Sequence, residues 1–227
     1  STLMKILAGV YKSDEGEIYL NGKRVNIDSP KVSQELGIAM IHQELSPIPQ
    51  MTVAENIYLG REPGSKLFVN YKEMYKKAAQ LLESLNVHIN PRVKIGTLKV
   101  ADQQLIEIAK AISINANIII MDEPTSAISD KEVDNLFRII QSLKEQGKGI
   151  IYISHKIDEI FQIADEITVL RDGTYINSWQ AKDIDKSILI KNMVGRELNE
   201  VYPKVKVPIG ETLLEVHNFS LKNKFHN

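Results

Sequence analysis

Three apolar runs in this chain end abruptly in polar side chains. Ile118-Ile119-Ile120-Met121 runs into Asp122-Glu123-Pro124, Gly37-Ile38-Ala39-Met40-Ile41 into His42-Gln43, and Gly149-Ile150-Ile151-Tyr152-Ile153 into Ser154-His155. The runs are continuous rather than alternating, which predicts strands buried on both faces, as in a parallel sheet with helices above and below. Between them the apolar spacing changes to three and four. Met74, Ala78, Leu81, Leu82 and Leu85 define an amphipathic helix over Tyr71–Leu85, and Leu105, Ile106, Ile108, Ala109 and Ile112 define another over Leu105–Ile114. A further helix runs from Asp130 to about Gln146, capped by Asp130 or Ser129 and stopped by Gly147 and Gly149. The fold class is therefore α/β: a mainly parallel sheet core, an inserted α-helical subdomain and a small antiparallel β portion.

Shorter signals fill in the rest. Ser1–Leu7 reads as a helix with Leu3, Ile6 and Leu7 on one face. Asn21-Gly22 between Gly16–Leu20 and Lys23–Val25 is a hairpin signal, and Ser29-Pro30 opens a short helix through Leu36. Thr52 with Glu55 three residues on forms a capping box. After His155 come a helix (Lys156–Ile163), a strand (Glu166–Arg171), an Asp172-Gly173 turn, a strand (Tyr175–Ser178) and a helix (Asp185–Val194). Tyr202–Gly210 reads as a proline-containing linker, and Thr212–His217 is strand-like. The first helix is already under way at Ser1, so the domain is expected to begin upstream. A new domain is expected to start near the other end.

Composition narrows the partners. With 28 basic and 29 acidic residues and a net charge of −1, the chain has no basic field for nucleic acid, so nucleic acid is not an expected partner. The absence of cysteine excludes disulfides and thiolate metal sites. No apolar stretch approaches the roughly 20 residues of a membrane-spanning helix.

The strand ends carry the candidate chemistry. In a parallel sheet, Gln43, Asp122, Glu123 and His155 share one edge, and Ser1-Thr2 lies at a helix start. A polar residue after a buried strand is usually only a turn former, a strand-end histidine is often packed under a helix, and Glu123 would serve equally to cap the Pro124 turn. Taken as an ordered set, hydroxyl, amide, carboxylate pair and imidazole match the groups that hydrolyse a magnesium-bound nucleoside triphosphate.

On these residues the sequence resembles the nucleotide-binding subunit of ATP-binding cassette (ABC) transporters, a P-loop NTPase-type fold. Ser1-Thr2-Leu3-Met4-Lys5-Ile6-Leu7 looks like the tail of a phosphate-binding loop whose glycines and lysine would precede residue 1. Ile41-His42-Gln43-Glu44-Leu45 resembles the Q-loop, Leu98–Asp102 occupies the signature position, and Ile118–Glu123 resembles the Walker B strand. Thr125-Ser126-Ala127 resembles the D-loop and Ser154-His155-Lys156 the switch histidine segment. More narrowly, Glu-Ile-Ala-Lys-Ala from Glu107, Asp-Glu-Pro-Thr-Ser, Tyr-Ile-Ser-His-Lys, Val-Leu-Arg-Asp-Gly and Met-Val-Gly-Arg-Glu-Leu resemble the tandem-cassette importer ATPases for ribose, galactose and xylose. That resemblance implies an ATPase core at 1–43 and 116–195, a helical signature subdomain at 44–115, a linker at 196–210 and the start of a second cassette at 211–227.

The resemblance also implies roles. Ser1 would ligate Mg2+, Thr2 would lie near the α-phosphate of ATP, and Gln43 would contact Mg2+ or the attacking water. Asp122 would hold Mg2+ through water, Glu123 would act as general base, and His155 would meet the γ-phosphate. Ser126 and the signature positions Leu98, Lys99, Val100, Ala101 and Asp102 would face nucleotide. It implies as partners a second cassette, transmembrane permease subunits and, indirectly, a sugar-binding protein, with the chain peripheral on the cytoplasmic face of the membrane. At the signature the family reads Leu-Ser-Gly-Gly-Gln, whereas this chain lacks the hydroxyl and both glycines. Either an altered contact still works or this cassette's contribution to one composite site has decayed, and the residues favour the second. A soluble ABC ATPase without a membrane partner, or a cassette with a structural role, are the competing functions. Without the loop lysine and glycines, residues 1–227 alone are expected to bind ATP poorly.

Overall fold

Ile118–Asp122 is the middle strand of a three-stranded parallel sheet, between Ile38–Ile41 and Gly149–Ile153. The structure is a computed structural model that describes residues 1–43, 46–65, 68–126, 128, 130–195, 210–217 and 219–220. In chain order its elements are α1 (Thr2–Leu7), β1 (Ile18–Leu20), β2 (Lys23–Val25), α2 (Pro30–Glu35), β3 (Ile38–Ile41) and α3 (Val53–Ile57). They continue with α4 (Tyr71–Ser84), α5 (Val100–Ser113), β4 (Ile118–Asp122), α6 (Asp130–Glu145) and β5 (Gly149–Ile153). The last are α7 (Ile157–Ile163), β6 (Glu166–Arg171), β7 (Thr174–Gln180) and α8 (Lys186–Val194).

The continuous apolar run of β4 is explained by its two covered faces. Ile120 joins Ile27 and Ile38 in a core closed by Met4 and Leu7 of α1. Ile119 and Met121 join the larger core formed by α3, α4, α5 and α6. Ile119, Ile120 and Met121 are each at most 1 % exposed, and burial of such side chains contributes about 1.5–3 kcal/mol apiece. The strand that ends at Asp122 is therefore anchored from both sides, which fixes where its terminal carboxylates emerge.

Local signals account for the helix starts. The Thr52 hydroxyl accepts from the Glu55 amide while Glu55 reaches back to the Thr52 amide, completing the capping box of α3. Ser29, Asn70 and Asp185 cap α2, α4 and α8. Asn21 and Gly22 both have positive φ (51° and 75°), the backbone required by a two-residue hairpin turn between β1 and β2. A separate small core of Ile167, Val169, Ile184 and Leu189 holds the β6–β7 hairpin against α8 and α7.

Several expectations are corrected. The inward face of α1 carries Met4 and Leu7, both partly buried, whereas Leu3 is 47 % exposed, because the helix meets the sheet through the positions that reach Ile38 and Ile120. α5 starts at Val100, not Leu105, since Ala101 is buried and Gln104 and Gln103 already lie inside the helix. β7 extends to Gln180 by pairing along the whole of β6. Thr212–His217 is not a strand: Leu213, Leu214 and Val216 are exposed and, among the described residues, have no ladder partner. The expected cap of α6, the 196–210 linker apart from Gly210, and Glu44, Leu45 and Ala127 fall outside the described residues or side chains.

Candidate active site

The parallel register sets Ile41, Met121 and Tyr152 side by side. Two residues further along come Gln43, Glu123 and Ser154, with His155 next, so the residues that terminate the three apolar runs do share one sheet edge. The ladder continues one step past the strands, because the Glu123 amide donates to the Ile153 carbonyl at 2.9 Å.

Glu123 is the meeting point. Its Oε2 accepts a hydrogen bond from Gln43 Nε2 at 3.1 Å, across 80 residues of sequence. Its Oε1 lies 3.2 Å from His155 Nδ1, and the side chains of His155 and Glu123 are 67 % and 27 % exposed. Glu123 also has φ of 48°, a left-handed conformation that a non-glycine residue seldom adopts and that is concentrated at functional sites. The turn it begins is closed by the Ser126 amide donating to the Glu123 carbonyl at 3.2 Å. Pro124 and Thr125 of that turn are buried and Ser126 is exposed.

Asp122, beside it, points inward. It is 4 % exposed, and its Oδ1 is buried without a hydrogen-bond partner. An unpaired buried carboxylate oxygen is costly unless another group bonds to it. That orphaned oxygen fits an outer contact to magnesium, which keeps several waters and needs only one or two carboxylates besides phosphate oxygens. Among the described residues no group of three or more His, Asp or Glu side chains is placed to hold a metal unaided.

The remaining predicted positions are not bonded to this group. Ser1 and Thr2 are exposed at the start of α1, and the Ser1 hydroxyl makes no cap bond. Lys99 precedes the first turn of α5, Val100 is 49 % exposed, Ala101 is buried, and the Leu98 carbonyl accepts from Gln103 Nε2 at 3.0 Å. Among the described residues no hydrogen bond or ion pair joins Ser1, Thr2 or Leu98–Asp102 to Gln43, Asp122, Glu123 or His155.

One cluster escaped the sequence reading. Glu159 in α7 is 7 % exposed. Its Oε2 accepts from Thr125 Oγ1 (2.8 Å), Tyr152 OH (2.8 Å) and Ser154 Oγ (3.2 Å), and Lys156 Nζ lies 3.1 Å from its Oε1. Lys156 Nζ also donates to the Thr125 carbonyl at 3.2 Å. Burial works to raise the Glu159 carboxyl, but the Thr125, Tyr152 and Lys156 bonds outweigh it and hold its pKa below the ordinary glutamate value. Burial and the neighbouring carboxylate push the Tyr152 phenol well above its usual range. The available signal was a charged residue on a short helix flanked by Ile157 and Ile160, just after a tyrosine in β5 and a serine beyond its end.

The fold, the sheet-edge site and the order of its segments define an ATP-binding cassette. The ABC transporter family pattern matches residues 1–126, more than half of the chain, and the chain belongs to that family. It is 27 % identical to a nucleotide-free ATP-binding cassette from an ABC transporter, with a TM-score of 0.72 over 86 % of this chain and 79 % of that one. Over its whole length it is 51 % identical to a protein of Agrobacterium fabrum and 54 % identical to one of Geobacillus kaustophilus. Both are named for ribose/galactose/methyl galactoside import and ATP binding. The chain spans 44 % and 46 % of those two proteins, about half their length.

Proposed function

We propose that this chain is the first cassette of a tandem ATPase that binds and hydrolyses ATP to energise import of a monosaccharide through a membrane permease. The observation that carries the reading is Glu123, held between Gln43 and His155 one residue beyond the buried Asp122. Membership of the ABC transporter family and the import names of the relatives support it.

In this reading Glu123 accepts the proton of the attacking water. Both of its oxygens are engaged by Gln43 and His155, so the water must take the place of one partner or insert beside it. Gln43 then holds that water through its amide. With Nδ1 facing Glu123, His155 would offer Nε2, which bonds no other described residue, to a γ-phosphate oxygen. Asp122, with Ser1 and Gln43, would hold magnesium, which when bound neutralises charge on the phosphates. Thr2 would meet the α-phosphate, and Ser126 would face the nucleotide. Residues 1–43 and 116–195 make the core, 44–115 the helical part, and 196–210 leads toward a second cassette beginning near 211. That second cassette, permease subunits and, indirectly, a sugar-binding protein are the partners, on the cytoplasmic face of the membrane. No described helix is long and apolar enough to cross a membrane, so attachment would run through those subunits.

Leu98–Asp102 would face ATP on the partner cassette. The absence of a hydroxyl and glycines there, and the burial of Ala101 in α5, favour a weakened contribution to that composite site. The test is ATP-dependent uptake of ribose or galactose by vesicles that hold the full-length protein and its co-purifying permease. Uptake that requires hydrolysable ATP is expected; ATP turnover with no membrane partner would favour a soluble ABC ATPase instead.

A further inference from the structure

The buried carboxylate of Glu159 is expensive where an apolar side chain would simply fill the space. What it does that leucine would not is join hydroxyls from two separate segments. Thr125 lies two residues after Glu123, and Tyr152 and Ser154 lie at the end of β5, just before His155. Lys156, on the far side of His155, closes the ring by bonding both Glu159 and the Thr125 carbonyl. His155, which meets Glu123 at 3.2 Å, is therefore bracketed by groups tied to one carboxylate, and the turn that begins at Glu123 is tied to the same carboxylate through Thr125.

The backbone of Glu123 gives this clamp a task. A residue at φ of 48° relaxes toward an ordinary conformation unless its surroundings over-determine it. Four ties hold the turn: the Glu123 amide on Ile153, the Ser126 amide on the Glu123 carbonyl, Thr125 on Glu159, and Lys156 on the Thr125 carbonyl. The last two are made by side chains outside the turn, and Glu159 bonds both Thr125 and Lys156.

We propose that Glu159 is a positioning residue, clamping the turn that carries Glu123 to the strand end that carries His155 so that the two side chains stay in register. Its kinetic consequence rests on the ATPase reading above; its structural consequence does not.

Two substitutions in the full-length protein separate the clamp from plain stability. Glu159→Ala removes every bond. Glu159→Gln keeps an oxygen for Thr125, Tyr152 and Ser154 but sets an amide NH2 against Lys156, and so loses that one bond and its charge. Turnover per folded molecule is expected to fall about 10- to 100-fold in Glu159→Ala, the scale of a misplaced reacting group, with KM for ATP held within about threefold. Glu159→Gln should recover most of that loss. In parallel, hydrogen exchange in peptides covering 123–126 and 154–156 should quicken in Glu159→Ala by about tenfold or more beyond the change in Ile118–Met121, which follows global stability alone. Wild-type turnover in folded Glu159→Ala, a Glu159→Gln variant as slow as Glu159→Ala, or exchange that rises equally along β4 would each overturn the clamp. Should the unsubstituted protein not hydrolyse ATP, the ATPase reading falls and the exchange arm alone decides whether Glu159 positions the turn.

Discussion

Glu123 and Glu159 both reach the end of β5, one through His155 and the other through Tyr152 and Ser154. Glu123 is partly exposed, sits on left-handed backbone, and has one partner on each oxygen. Glu159 is buried on regular helix and is bonded by three hydroxyls and an ammonium. A carboxylate that must exchange partners with water cannot be saturated by protein, while one that must not move is best saturated completely. In the proposed reading the site divides these duties between two glutamates: the strained one would do chemistry at a cost in stability, and the satisfied one would fix the geometry.

The largest expected effect breaks the comparison at Glu123. Glu123→Gly should lower ATP turnover by about 100-fold or more, since it removes the proposed general base. Because glycine adopts positive φ freely, the same substitution should leave urea stability unchanged or raise it by up to about 1 kcal/mol. A stability loss of that size would mean the left-handed turn is not strained. Next comes Glu159→Ala, expected to destabilise by about 2–3 kcal/mol in the same urea titration, because Thr125, Tyr152 and Lys156 lose their acceptor. Tyr152→Phe, which deletes a single bond to Glu159, should cost about 1 kcal/mol.

The smallest effect is in pH. The bonds from Thr125, Tyr152 and Lys156 favour the ionised Glu159 carboxylate, so its pKa is lower folded than unfolded. Its contribution is thus fully present above the ordinary glutamate value of about 4.3 and is lost as pH falls through the lower folded value. The stability gap between the unsubstituted protein and Glu159→Gln should be constant from neutral pH to about 5 and close below about 4. A gap that widened on acidification would contradict the assigned direction.

Much of this contrast was legible beforehand, and unevenly. The ends of β3, β4 and β5 could be read because unbroken apolar runs leave little choice of strand, and parallel strands bring their ends together. The meeting of Gln43, Glu123 and His155 follows from that alone. Glu159 could not be found in the same way: nothing local links it to Thr125, 34 residues away, and only the packing of α7 on the strand end makes the bond. Apolar spacing alone starts α5 at Leu105, where the regular repeat of Leu105, Ile106, Ile108 and Ala109 begins, whereas burial of Ala101 draws Val100–Gln104 into the helix as well. Thr212–His217 alternates like a strand, but an extended segment needs a neighbour to pair with.

The central claim is that Glu123, set between Gln43 and His155, activates the water that attacks ATP. Its most direct test is a single-turnover measurement on the full-length protein carrying Glu123→Gln, with magnesium and radiolabelled ATP in excess of Kd. The account predicts that this variant still binds ATP, with affinity within about threefold of the unsubstituted protein, while phosphate release from this site slows by about 100-fold or more. Hydrolysis at the unsubstituted rate with ATP bound would contradict it.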